Sequence, residues 1–262
     1  MSTTPRLSLP RALTLLLVLS VEPCSAQEGL QGELARLVDL VDPGERRAAV
    51  SQLALSALRY ARRRFNVDEN RIYCTGVSRG GHMVWDLALR HPDRFAAIVP
   101  MIGGPRILRA NGQNNLRYLE NIAHLSILDF QGSKDDKYLV ANVRLAFQQL
   151  VALGSDHANL VEFPELGHVF DMGKVDWAEF FGARRRDSVP DRVVRMAAEP
   201  EESCSFWVEL TEVDTSRVKV VPKIPTSAQF ETLDEMGQRR YVAAGTGQRR
   251  VLGRFSPILP SG

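Results

Sequence analysis

The chain reads as an α/β protein: a mostly parallel sheet flanked by helices, with a small β-rich appendage at its C-terminal end. Three observations predict this. Four runs of strand length, "RIYCT", "FAAIVPMI", "LSILDF" and "NLVEF", are apolar on successive positions, as in strands buried on both faces of a parallel sheet. Helix-periodic stretches separate them, the alternation of βαβ units. Past about residue 190 that rhythm ends, and "CSFWVELTEV" and "SRVKVVPKI" alternate apolar with polar residues, the pattern of antiparallel strands with one wet face.

Each element has its own justification. Arg6 and Arg11 precede an apolar run from Ala12 to Val21, and small residues at Cys24 and Ala26 suit cleavage before Gln27. Residues 1–26 are therefore expected to be a signal peptide, and the product secreted or periplasmic, with no membrane span after cleavage. Apolar residues at helical intervals predict helices over Leu30–Val41 and Arg46–Phe65, interrupted at "DPG". The strand "RIYCT" follows, then a helix over Gly81–Arg90 with Val84, Leu87 and Ala88 on one face, then the strand "FAAIVPMI". The polar segment "GGPRILRANGQNNLRYLEN" lies where lids and specificity loops are found, ahead of the strand "LSILDF". A helix over Leu139–Leu153, with Val143, Phe147, Leu150 and Val151, leads to "NLVEF". The main domain is thus expected over 27–190 and the appendage over 191–262, where "GTGQRRVLGRFSPILPSG" carries only a weak strand signal.

Composition excludes some classes of function. The formal charge is +2 against 33 basic and 31 acidic residues, so no sustained field exists to hold nucleic acid or an anionic membrane. Arg62–Arg64 and Arg184–Arg186 each sit where a helix is predicted to end. Cations there suit the exposed carbonyls, and both clusters read as solvated termini rather than as a binding patch. Cys74 lies in a predicted buried strand and Cys204 far from it, so no disulfide framework is indicated. The letters contain neither H-E-x-x-H nor a phosphate-cradling glycine loop, and no metal or other cofactor is expected.

Gly76-Val77-Ser78-Arg79-Gly80 is a G-x-S-x-G pattern between a predicted strand and a predicted helix, the setting of a nucleophile elbow. Glycines on either side let the chain turn sharply enough to leave the serine hydroxyl exposed above the strand ends. A serine is a poor nucleophile without a base, and the base needs an orienting carboxylate. Both should come from loops after later strands, in the order Ser, Asp or Glu, His. "LDFQGSKDD" offers Asp135 and Asp136, and "VEFPELGHVF" offers His168. The other histidines fit structural positions: His82 in the elbow helix, His91 at a helix end before Pro92, His124 ahead of a strand, His157 in a polar loop.

"VDENRIYCTGVSRGGHMVWDLALRHPDRFAAIVPMIGG", residues 67–104, resembles the nucleophile region of α/β-hydrolases. The likeness is to the secreted esterase and prolyl-oligopeptidase-like group, which includes feruloyl esterases, polyhydroxyalkanoate depolymerases and dienelactone hydrolases. "FQGSKDDKYLV" resembles that group's H-G-x-x-D segment and "FPELGHVF" its G-H segment, so the resemblance covers residues 46 to about 187. It implies Ser78 as nucleophile, Asp135 rather than Asp136 as triad acid, and His168 as base. Gln131 stands where the group commonly has histidine, as a neighbour of the triad and not a member.

Acyl transfer also needs oxyanion donors. The amide of Arg79, the residue after the serine, is one; the second is expected from a loop well before the elbow, and residues 27–70 read as helices with no "HG" or "GGG" segment. Losing one donor costs about 3 to 4 kcal/mol of transition-state stabilisation, roughly a hundredfold to a thousandfold in rate. The fold is accordingly expected to be shortened at its N-terminal side. That leaves "RIYCT" as an apolar edge to be covered by residues 27–70 or paired with a second copy or another partner, unless the sequence is an incomplete version of a longer protein. The sequence as a whole reads as an exported serine hydrolase for a small-molecule or polymeric carboxylic ester, or for a peptide. The reading of another class is a non-catalytic relative that keeps the elbow as architecture and binds a partner through the tail or the bare edge.

Overall fold

The computed structural model describes residues 13–19, 43–105, 115–197, 202–213 and 253–257. Chain order gives strand β1 (Leu13–Leu19), helix α1 (Pro43–Arg64), β2 (Val67–Val77), α2 (Arg79–Arg90), β3 (Ala97–Met101) and β4 (Ser126–Gly132). Then come α3 (Lys137–Ala152), β5 (Ala158–Phe163), α4 (Trp177–Ala183) and the short strands β6 (Cys204–Ser205), β7 (Val208–Val213) and β8 (Gly253–Pro257). The four apolar runs of the sequence are β2 to β5, and the two helices predicted between them are α2 and α3. Strands β1 to β5 form one sheet in sequential order, every pairing parallel. Strands β6 to β8 form a separate antiparallel sheet, as alternation predicted for the tail. The predicted helix Leu30–Val41, the tail segment "SRVKVVPKI" and residues 106–114 of the polar segment lie outside the described residues.

One expectation is corrected. β2 is not an open edge, because the apolar run read as part of a signal peptide pairs with it in parallel: Leu15 stands opposite Ile72 and Leu19 opposite Gly76. A seven-residue, mostly leucine strand satisfies the ladder that β2 would otherwise present to water. Among the described residues the margins of the sheet are β1 and β5.

Alternate residues of each strand feed two cores. Ile72, Cys74, Ile98 and Ile127 meet Val84, Trp85, Leu87, Ala88 and Leu89 of α2 and Val143, Ala146, Phe147 and Leu150 of α3. Tyr73, Ala97, Val99, Met101, Leu128, Phe130 and Phe163 meet Phe180 on the other face, with Phe170, Trp177 and Phe181 packed against them. Each fully buried Leu, Ile or Phe contributes about 1.5–3 kcal/mol, so the sheet is held from both sides, as its strands predicted. α2 ends where His91 donates its amide to Leu87 O at 2.7 Å and Pro92 follows. α3 starts on Asp136, whose carboxylate accepts from the Leu139 amide at 2.9 Å.

The arginine clusters do more than sit in solvent. Arg184 stacks over Phe180, its guanidinium carbon 4.4 Å from the ring centre. Arg185 pairs with Asp68 at 3.3 Å, and the Arg186 amide bonds Asn70 O at 2.9 Å. The chain after α4 thereby straps the polar start of β2. Further on, the Met196 amide bonds Asn121 Oδ1 at 2.6 Å. Arg90, at the end of α2, forms a buried ion pair with Glu202 at the start of the small sheet, the two side chains 5% and 6% exposed.

Candidate active site

The C-terminal ends of β2, β3 and β4 lie level, Val77 opposite Met101 and Met101 opposite Phe130. Loops leaving these ends share one edge of the sheet, where α/β folds place their ligands. Ser78 occupies the one-residue corner between β2 and α2, with φ 55° and ψ −110°. A positive φ is costly for a residue with a Cβ, by about 1–3 kcal/mol. The corner is pinned on both sides: the Ser78 amide donates to Met101 O at 2.8 Å and the His82 amide to Ser78 O at 3.1 Å. Glycine is required at two flanking places. A Cβ on Gly81 would lie 2.8 Å from Met101 O, and one on Gly103 would lie 2.4 Å from Ser78 O. Gly81 of the serine turn and Gly103 after β3 thus form one steric unit.

Asp135 and His168 arrive on the loops after β4 and β5. His168 Nε2 is 2.8 Å from Ser78 Oγ, and His168 Nδ1 is 2.8 Å from Asp135 Oδ2. Asp135 is 6% exposed while the imidazole is 51% exposed, so the carboxylate is shielded and about half of the ring faces solvent. Asp135 holds two further donors, the Asp136 amide on Oδ1 at 2.7 Å and Gln131 Nε2 on Oδ2 at 3.0 Å. Of the two aspartates, Asp136 caps α3 and Asp135 faces the histidine. The two loops are knit together, with Ser133 N bonded to Phe163 O at 3.0 Å and Lys134 N to Leu166 O at 2.9 Å. Gly132 permits this contact, since a Cβ there would fall 1.9 Å from Gly167 O.

Arg79 is the first residue of α2, and the amides at the start of a helix have no intrahelical acceptor. They point toward the level of Ser78 and give that end partial positive charge. Leu19, the last residue of β1, is opposite Gly76, two residues before the serine.

The remaining histidines stand away from the relay. His82 Nδ1 lies 2.6 Å from Gly104 O and 3.0 Å from Gly104 N, tying the loop after β3 to α2. His91 closes α2, and burial holds its imidazole below the usual range. His124 packs its ring on Phe206 at 5.4 Å, and His157 pairs with Asp156 at 3.0 Å. Among the described residues no group of three or more His, Cys, Asp or Glu is placed to hold a metal ion. Sequence reasoning gave no role to Gln131, Gly132 or Gly103. The "QG" after an apolar run and the "GG" before a proline were the available signals, and only the contacts reveal what they accommodate.

Residues 53–105 match the model of the prolyl oligopeptidase family, a stretch that runs from the middle of α1 through the serine turn to the loop after β3. No curated protein matches the chain. Among solved structures it is similar to a thermostable esterase, with 26% identity and a TM-score of 0.40 over 52% of this chain and 36% of that one. It is also similar to the acylaminoacyl peptidase of Pyrococcus horikoshii, with 19% identity and a TM-score of 0.39 over 45% of this chain and 23% of that one. A third is the S-formylglutathione hydrolase of Staphylococcus aureus, with 16% identity and a TM-score of 0.42 over 66% and 78% of the two chains. The chain spans little more than a third of the esterase and under a quarter of the peptidase.

Proposed function

We propose that the protein is a serine hydrolase that cleaves carboxylic esters by acyl transfer, with Ser78 as nucleophile, His168 as general base and acid, and Asp135 as the group that orients the imidazole. The observation that carries this reading is the unbroken relay Ser78–His168–Asp135, with 2.8 Å at each step, at a corner whose strain has no architectural necessity. A β–α turn can be made without a side chain at positive φ, so a serine held there at a cost of about 1–3 kcal/mol fits a chemical task.

The steps follow from the geometry. Ser78 Oγ attacks the ester carbonyl carbon while its proton passes to His168 Nε2, and the carbonyl π pair moves onto oxygen. The Arg79 amide donates a hydrogen bond to that oxyanion. Collapse breaks the bond to the leaving alkoxide, which takes the proton from His168; water then repeats the sequence in reverse to release the acid. Asp135, held by three N–H donors, keeps Nδ1 of the ring protonated and Nε2 facing the serine. With one assigned oxyanion donor, acylation is proposed to be slow. Ester rather than peptide substrates are favoured because an alkoxide leaves more easily than an amine and demands less of the oxyanion site. Export after cleavage before Gln27 belongs to the same proposal and rests on Arg6, Arg11 and the small residues at Cys24 and Ala26.

The test is covalent labelling with a fluorophosphonate, followed by steady-state assays on p-nitrophenyl acetate and on an acylaminoacyl p-nitroanilide. Labelling that maps to Ser78 and vanishes in Ser78→Ala supports the hydrolase. A folded wild-type protein that takes no label favours the binding-protein reading, in which the elbow is retained only as architecture.

A further inference from the structure

Gln131 is the last-but-one residue of β4, fully buried, and is a neutral side chain in a row that also contains Ile127. Its amide nitrogen lies 3.0 Å from Asp135 Oδ2 and 3.3 Å from Gly132 O. Both neighbours are acceptors, which fixes the orientation of the amide: the NH2 group must face them. Among the described residues its own Oε1 has no hydrogen-bond partner. A buried acceptor left unsatisfied costs about 1–3 kcal/mol, so Gln131 is not there to stabilise the fold most economically. An apolar side chain of equal volume would serve a purely structural purpose better.

We propose that Gln131 is a positioning residue for this site, acting on the reaction through Asp135; the inference rests on the hydrolase reading given above. The carboxylate oxygen that receives Gln131 is the same one that receives His168 Nδ1. A carboxylate turns about its Cβ–Cγ bond, and Asp135 is on a loop. The Asp136 amide fixes Oδ1, and Gln131 fixes Oδ2 from the sheet side. Together they leave the His168 direction as the open approach to Oδ2. Because β4 is locked in the core by Ile127, Leu128 and Phe130, Gln131 ties the Asp135 carboxylate to the rigid sheet. A protonated or rotated Asp135 would lose the imidazole, and Ser78 would lose its base.

The experiment compares wild type, Gln131→Met, which keeps volume and removes the donor, and Gln131→His, which offers an N–H of similar reach. Three quantities are measured on each: the second-order rate of fluorophosphonate labelling, the split of kcat and KM on p-nitrophenyl acetate, and the urea midpoint. The low-field proton resonance of the His168 Nδ1–H is recorded in the same proteins and in Ser78→Ala, where it does not depend on turnover. Positioning predicts that Gln131→Met loses about tenfold in labelling and kcat, the size of one hydrogen bond to a charged group. KM stays unchanged, the urea midpoint is equal or higher, and the resonance is lost or broadened. Gln131→His recovers the rate to within about threefold of wild type. Gln131→Met with wild-type labelling and an unaltered resonance overturns the proposal, as does a rate loss that merely tracks lost stability. A wild type that takes no label, but whose resonance disappears in Gln131→Met, sinks the hydrolase reading and leaves the positioning intact.

Discussion

Gly132→Ala is the most direct probe of how the site is assembled. A Cβ at residue 132 would stand 1.9 Å from Gly167 O, 2.5 Å from Leu166 O and 2.9 Å from Gly167 C, all of them backbone atoms. Real Cβ atoms do not approach closer than 3.0 Å, so the chain before His168 must retreat from the end of β4 by at least about 1 Å. The Ser78–His168 and His168–Asp135 distances are both 2.8 Å. Carrying His168 away by that amount stretches one or both beyond hydrogen-bonding range. A misplacement of about 1 Å costs on the order of a hundredfold in rate. Gly167→Ala supplies the matched control at the same contact. The nearest atom to its Cβ is Lys134 O at 3.7 Å, an ordinary van der Waals separation. The assay is the rate of fluorophosphonate labelling with a thermal melt on each protein. Gly132→Ala is expected to fold and to label about a hundredfold more slowly, and Gly167→Ala to label within about threefold of wild type. Equal labelling by Gly132→Ala and wild type would show that the close packing of the two loops does not set the geometry of the relay.

Other perturbations have defined outcomes. Asp129 is fully buried in β4 with Trp85 Nε1 donating to it at 2.8 Å; burial drives its carboxyl well above the usual range, against the smaller opposing effect of that hydrogen bond. Folding then keeps a proton that the unfolded chain gives up above about pH 4. Its contribution is intact below that pH and falls by about 1.4 kcal/mol per pH unit until the folded group ionises. Asp129→Asn, which keeps an acceptor for Trp85, is expected to flatten this slope in urea titrations run across that range. Glu202→Gln, which leaves the buried Arg90 without its full counter-charge, is expected to cost about 3 kcal/mol of unfolding free energy. Replacing Arg90 and Glu202 together with Met and Leu is expected to recover much of it. Cys74 is buried, and burial pushes its thiol far up. In native protein a disulfide reagent is expected to modify the exposed Cys204 and spare Cys74 until urea unfolds the chain, read by peptide mass mapping.

The parts of this molecule that follow local rules were legible. Ile72, Cys74, Ile98, Ile127 and Phe130 sit in runs that only a doubly covered sheet explains, and α2 and α3 showed their apolar faces in Val84, Leu87, Val143 and Leu150. Ser78 and His168 were readable because one lies in a recognisable turn and the other follows a strand. What escaped depends on contacts between distant segments. β2 begins at Val67, although Asp68, Glu69 and Asn70 are poor strand residues; the backbone of Arg186 and the side chain of Arg185 hold them, more than a hundred positions away. Gln131 was legible as a neighbour of Asp135 in sequence, but not its hydrogen bond to that carboxylate, because Gln has no preference that distinguishes a filler from a donor. The apolar run Leu13–Leu19 has the composition of both an export signal and a strand, and hydrophobicity alone cannot separate the two.

That run has one further consequence. Its seven residues cannot both leave with a leader and remain hydrogen-bonded to β2. If the cut before Gln27 takes place, β2 becomes the margin of the sheet among the described residues, and its amides and carbonyls lose their partner strand on that side.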